Sequence, residues 1–146
     1  MSWDSYIDNL IAQSKDASGE CHADRAVIIG LDGSKWTTDA HASSFKITTT
    51  EAANIGRAFK SGDFTPFMSS GVHAEGVKYQ FLREEDKKLV LAKKKGCGAL
   101  TAQKSKTAVV IAHCPEGGQQ GNCNKGVGVI AEYLESMAEF PSTSWT

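Results

Sequence analysis

The chain has 146 residues, 40% of them hydrophobic and 23% charged, with a formal net charge of -1. That length suits one domain able to bury roughly 68–70% of its unfolded surface, so its core needs no disulfide or metal staple. The near-zero charge argues against general nucleic-acid binding, and no apolar run approaches the roughly 18 residues of a membrane span.

The chain opens "MSWDSYIDNL", with two large aromatic residues at an end that is usually ragged. A first helix is predicted from Asp4 to about Ser14, with Ser2 as its N-cap and Asp4 at the positive end. Trp3, Tyr6, Ile7 and Leu10 share one stripe of its wheel, with Ile11 at the edge. Asp4 and Asp8 precede no hydrophobic signal core, which predicts no secretion signal. "AVIIGL" (Ala26–Leu31) reads as a buried strand, and Asp32-Gly33 as a turn leading into a hairpin back through Trp36. Thr48 with Glu51 three residues later is a capping box, placing Ala52, Ile55 and Phe59 on one helix face. "SGDFTPFMSSG" is expected to be a loop. In "VKYQFLR" Val77, Tyr79 and Phe81 alternate with Lys78, Gln80 and Leu82, the period of a strand. Further strands are predicted at Lys88–Lys93, Ala99–Gln103 and Ala108–His113. A Gly-rich loop, "PEGGQQGN", then leads to a last helix from about Asn124 to Phe140.

This order defines an α+β protein, with short connections that imply antiparallel pairing. The terminal helices must cover part of the sheet. On the last helix Val127, Ile130, Ala131, Leu134 and Ala138 form a core stripe, and Val129, Tyr133, Met137 and Phe140 lie beside it. That apolar arc is wider than one buried face requires, so either a neighbouring element or a partner covers it.

Charge is unevenly spread. Lys87, Lys88, Lys93, Lys94, Lys95, Lys104 and Lys106 form a stretch without acidic residues, whereas the first 24 residues carry Asp4, Asp8, Asp16, Glu20 and Asp24 against Lys15. A lysine run often serves as a solvated face or protects a strand edge. Seven together also make a patch for an acidic protein or a phosphorylated head group.

Catalytic chemistry finds no constellation. Gly126, Gly128 and Ala131 fit G-x-G-x-x-A, but a loop precedes them where a dinucleotide site needs a strand. Ser43 and Lys46 have a Ser-x-x-Lys spacing without its companion motifs. Cys21-His22 and His113-Cys114 are adjacent pairs rather than zinc-ligand spacings, and Cys21, Cys97, Cys114 and Cys123 contain no C-x-x-C. No metal or cofactor is expected, and the thiols are expected to be reduced in a cytoplasmic protein.

Taken together the pieces resemble profilin, over nearly the whole chain. "SWDSYID" is similar to that family's opening, "AVIIGLDGSKW" to its first strand, turn and Trp, and "GVKYQFL" to its central strand. "KKKGCGALTAQKSKTAVVI" and then "QGNCN" and "AEYLES" follow in the family's order. The resemblance implies a central antiparallel sheet flanked by helices, with the N- and C-terminal helices side by side on one face. It implies one domain over residues 1–140, with 141–146 a short extension. It implies no enzyme but a cytoplasmic, cytoskeleton-associated regulator that binds monomeric actin, proline-rich segments and phosphoinositide surfaces. Such a protein promotes nucleotide exchange on actin. The alternative is an adaptor of the same fold for proline-rich and phosphoinositide ligands, with weak or absent actin binding.

Carried over residue by residue, the resemblance assigns proline-rich ligands to Trp3, Tyr6, Trp36, Tyr133 and Leu134, with Met137 beside them. It assigns actin to Lys78, Arg83, Lys94, Gly121, Asn124 and Lys125, and phosphoinositides to Lys93, Lys94 and Lys95. Ala92, Gln119, Gln120 and Gly128 depart from common family residues near the actin face, and "PSTSWT" extends past the usual end.

Overall fold

The computed structural model describes residues 3–138, without the side chains of 137 and 138. Its elements are α1 (Ser5–Gln13), β1 (Arg25–Gly30), α2 (Thr49–Ser61), α3 (Thr65–Ser70), β2 (Val72–Ala74), β3 (Val77–Glu85), β4 (Leu89–Lys94), β5 (Gly98–Lys104), β6 (Ala108–Cys114) and α4 (Gln120–Ala138). The strands form one six-stranded sheet in the order β1-β6-β5-β4-β3-β2, every pair antiparallel.

Helices cover both faces of this sheet, which explains why β1 and β6 are written as unbroken apolar runs. Val27, Ile29, Val109 and Ile111 point to the layer of α2 and α3, where they meet Ile55, Phe59, Phe64 and Phe67. Ala26, Ile28, Ala108, Val110 and Ala112 point the other way, to Tyr6, Ile7 and Leu10 of α1 and Val127, Ile130 and Leu134 of α4. The alanines on that face let the two terminal helices settle close to the sheet. The helices run antiparallel, Gly126 lying against Leu10 and Ser14 while Tyr133 reaches Tyr6. A Cβ on Gly126 would come within 2.7 Å of the Leu10 carbonyl.

The capping box of α2 forms as expected, and Glu51 also works outside its helix. Its carboxylate accepts the Thr48 N–H at 2.8 Å, the Glu75 N–H at 2.9 Å and the Gly76 N–H at 2.9 Å. Glu75 and Gly76 have φ of 50° and 77°. They make the two-residue turn joining β2 to β3, a short edge hairpin that the sequence reading missed. The other edge, β1, is closed by the segment that follows the Trp36 turn: Ala26 N–H donates to Ser43 O and Phe45 N–H to Ala26 O.

Several boundaries differ from expectation. "SGDFTPFMSSG" is not a loop throughout, because Thr65–Ser70 is helical with Pro66 in its first turn, where the missing N–H costs nothing. Phe64 and Phe67 stack at 5.8 Å and pack on Phe59, which holds this short helix down. The last helix starts at Gln120 rather than near Asn124, since its buried stripe extends back to Cys123. Gln119 N–H donates to His22 Nδ1 and the Gln120 carboxamide to Leu100 O, anchoring that first turn. The Asp32-Gly33 turn forms, but the hairpin has a single bridge, Ile29 to Lys35. Ser2, the expected cap of α1, lies outside the described residues, and Asp4 takes the N-cap position without a side-chain cap bond. All four cysteines are unbridged, Cys21 and Cys97 exposed and Cys114 and Cys123 buried.

Two of the glycines of α4, Gly126 and Gly128, should therefore respond oppositely to alanine. A Cβ on Gly128 meets only Gln103 Oε1, at 3.6 Å. Gly128→Ala should stabilise the fold by about 0.8–1.0 kcal/mol through helix propensity. Gly126→Ala should destabilise it by about 1–3 kcal/mol through overpacking against α1. Urea midpoints of the two variants check this.

Candidate functional site

An aromatic row crosses the molecule where α1 begins and α4 nears its end. Trp36 lies 4.8 Å from Trp3, Trp3 5.3 Å from Tyr6, and Tyr6 5.9 Å from Tyr133, ring centre to ring centre. The rings are tilted by 32–43° to one another, giving a stepped shelf rather than a stack. Three separate parts of the chain build it, and each is fixed by different chemistry.

Tyr6 is fixed by burial, as part of the α1 stripe with Ile7 and Leu10. Trp3 and Trp36 are half-buried and pack on the same core. What holds them together is Asp4, whose carboxylate accepts the Thr38 N–H at 2.7 Å and the Thr38 hydroxyl at 2.5 Å. Those two bonds hold the Asp4 carboxyl below its ordinary range. A second tie, His41 Nε2 to Asp8 Oδ1 at 3.0 Å, joins the next turn of α1 to the same loop. The acidic N-terminus thus clasps the loop that carries Trp36.

Tyr133 is the most open member, 51% exposed. Burial, then a hydrogen bond shared with Tyr133, pushes the Tyr6 phenol above its ordinary value. Being the exposed one of the two, the Tyr133 phenol is the one the shelf presents outward. Leu134, named with these rings, is only 5% exposed and supports the shelf from the core. The Met137 side chain lies outside the described residues. Beyond Tyr133 a groove of about 300 Å³ continues between the helices, lined by Ser5, Asn9, Gln13 and Val129.

The basic residues gather elsewhere. Lys78, Lys93, Lys94 and Lys95 line one cleft of about 520 Å³ with Gln80, Phe81 and Met68. Pairing of Gln80 with Lys93 across β3 and β4 sets this arrangement. Met68 of α3 is 62% exposed at the cleft, a contact candidate that sequence reasoning missed because its helix was read as a loop. Lys93 also lines a small hollow reaching Gln120, beside Gly121 at the start of α4. Asn124 Oδ1 accepts the Thr101 hydroxyl at 2.6 Å, tying that helix start to β5. Arg83 and Lys125 are not drawn into the cleft. Arg83 pairs with Glu85 at 3.2 Å, and Lys125 donates to Lys15 O at 2.7 Å beside α1.

One group has the composition of a metal site: Asp16, Glu20 and His22. Its protonation pattern opposes that use. His22 Nδ1 accepts the Gln119 N–H at 3.0 Å, so the ring proton sits on Nε2, which donates to Asp16 at 2.7 Å. The nitrogen facing the carboxylates therefore has no lone pair for a cation.

An α+β domain with a stepped aromatic shelf on one side and a lysine-lined cleft on another is the class these features define. The profilin family model matches residues 1–138. A profilin from Clypeaster japonicus is 74% identical over 138 residues, spanning 94% of this chain and 99% of that protein. One from Heliocidaris crassispina is 72% identical with the same coverage. Among solved structures, Acanthamoeba castellanii profilin II superimposes with a TM-score of 0.75 at 29% identity, covering 94% of this chain and 99% of its own. Mouse profilin IIa, solved in complex with a double repeat from the FH1 domain of mDia1, shares the fold at a TM-score of 0.68 and 22% identity, covering 94% of this chain and 99% of its own. The chain belongs to the profilin family, known in general as actin-binding regulators.

Burial pushes the Tyr79 phenol up to about 12. A raised phenol means the fold favours the neutral form. That contribution is complete below the ordinary tyrosine value of about 10 and is lost as pH rises through 12. Ultraviolet titration of the folded protein should show a tyrosinate step near 12, absent from Tyr79→Phe.

Proposed function

We propose that this protein binds monomeric actin and proline-rich segments, regulates actin polymerisation and promotes nucleotide exchange on actin without catalysing a reaction. The observation that carries the proline-rich half is the contiguous row Trp36–Trp3–Tyr6–Tyr133. A polyproline II helix is preformed and has no N–H donors, so it is recognised through flat ring surfaces and donors to its carbonyls. The shelf offers the first in four rings and the second in the Tyr133 hydroxyl. Membership of an actin-binding family supports the actin half, with Lys78, Lys94, Gly121 and Asn124 as the contact set and Arg83 and Lys125 at its flanks.

Lys93, Lys94 and Lys95 would take phosphoinositide head groups in the same cleft, so actin and lipid would compete. The same reading assigns the protein to the cytoplasm, at the cytoskeleton, with a domain of residues 1–140 and a short extension at 141–146. A second reading, an adaptor with weak actin binding, draws support from the engagement of Arg83 with Glu85 and of Lys125 with Lys15.

Trp3→Ala should lose retention on polyproline resin, weakening affinity by about 30-fold or more, while far-ultraviolet circular dichroism stays that of the native protein. Unimpaired retention would remove the shelf from the site. Gel filtration with monomeric actin separates the two readings: co-elution that is lost in Lys78→Glu/Lys94→Glu supports actin regulation, and no co-elution supports the adaptor.

A further inference from the structure

His113, on β6, is 2% exposed, and neither the aromatic shelf nor the lysine cleft uses it. Its Nδ1 lies 2.6 Å from Asp24 Oδ1 and its Nε2 2.7 Å from the Cys97 carbonyl oxygen. Both oxygens only accept. Burial tends to raise the Asp24 carboxyl, but the bond from His113 and the charges of His113 and Arg25 hold it below its ordinary value. Bonds to two acceptors require a proton on both ring nitrogens, which makes the ring an imidazolium.

Arg25 fits that assignment. Its Nη2 is 3.0 Å from one ring nitrogen and 3.2 Å from the other. An atom so placed cannot lie in the ring plane without overlapping the carbon between the nitrogens. The guanidinium therefore stacks over the ring instead of donating to either nitrogen. Arg25 also pairs with Glu75, so two cations and two carboxylates close a neutral quartet. Buried charge persists when it is matched in this way.

The consequence lies in what Nε2 holds. Cys97 belongs to the β4–β5 turn, closed by Cys97 N–H donating to Lys94 O at 2.9 Å; the turn holds Lys95 and follows directly on Lys93 and Lys94 at the end of β4. Gly98, with φ of 112°, presses the turn onto β6, where a Cβ would overlap the Cys114 carbonyl. We propose that His113 is a proton-operated latch on the β4–β5 turn, a positioning residue that sets Lys93, Lys94 and Lys95 for an anionic ligand only while both its nitrogens are protonated.

On loss of one proton, the remaining one stays with the Asp24 carboxylate, the stronger acceptor. The Nε2 lone pair then faces the Cys97 carbonyl, and the clamp becomes a repulsion. The turn keeps its bond from Gly96 N–H to Glu116, 3.0 Å long, but loses its tie to β6. The other ionisable groups around the ring are Glu75 from the β2–β3 turn, Tyr79 from β3, the Cys97 thiol on the turn and Cys114 on the same strand. Tyr79, held neutral by burial to about 12, leaves Asp24 as the anion in contact with the ring.

This inference rests on the anion-binding reading of the lysine row, and its test separates the two. Ring nitrogen NMR shifts would follow His113 while amide protection factors are measured at Gly96, Cys97 and Gly98. Inositol hexasulfate, ionised throughout the range, serves as the anion probe. Both ring nitrogens should be protonated at low pH. Protection of the turn and hexasulfate affinity should each fall about tenfold as His113 loses its proton. Asp24→Asn should move that transition lower by about one pH unit or more. A ring with a single proton at every pH, or turn protection indifferent to the transition, would overturn the latch. Protection that tracks His113 with no hexasulfate binding at any pH would uphold the latch and remove the lysine row as its anion site.

Discussion

The aromatic shelf depends on one close crossing of two helices. Gly126 of α4 lies against the Leu10 carbonyl and the Ser14 amide at the end of α1, where no side chain fits. From that crossing the two helices run back antiparallel, so Tyr133 arrives beside Tyr6 and not a turn away. Small residues on the sheet beneath, Ala26, Ala108 and Ala112, let both helices lie at the same depth. A glycine inside a helix is a local cost. Here it sets the spacing that turns two amphipathic stripes into one shelf.

Long-range polar ties then fix what apolar packing leaves adjustable. Asp4 joins the start of α1 to Thr38, and through that bond Trp36 to Trp3. Glu51, which began as a capping residue, accepts three backbone N–H groups from two parts of the chain. Asp4 accepts two bonds from Thr38, and Glu51 adds two distant partners to its local cap bond. Hydrophobic burial gives the layers; these few directed bonds give the register between them.

This division explains what could be read from the sequence. The α2 cap was legible because Thr48 and Glu51 are three residues apart, and β1 and β6 because both sheet faces are buried there and their residues are largely apolar. The turn at Glu75 was not, because its left-handed conformation is held by Glu51, 24 residues away. The start of α4 was hidden in a Gly- and Gln-rich stretch whose anchor, His22, is 97 residues distant. Helix α3 is six residues long, too short for periodicity to show. For the site, Trp3, Tyr6 and Tyr133 stood on recognisable stripes. The partnership of Trp36 with Trp3 depends on the Asp4–Thr38 bonds, which no local pattern encodes. Leu134 carried the same hydrophobic signal as its neighbour but faces inward.

The sheet edges have a consequence for the kind of partner the fold can accept. One edge, β1, is already paired with the chain around Ser43–Phe45, and the other, β2, is three residues long. The second half of β3, Gln80–Glu85, runs past that short strand, so β2 does not ladder its outer side. The charges of Arg83, Glu84 and Glu85 along that stretch oppose the addition of another strand. A proline-rich partner, lacking the N–H groups a ladder requires, would be met by side chains in any case.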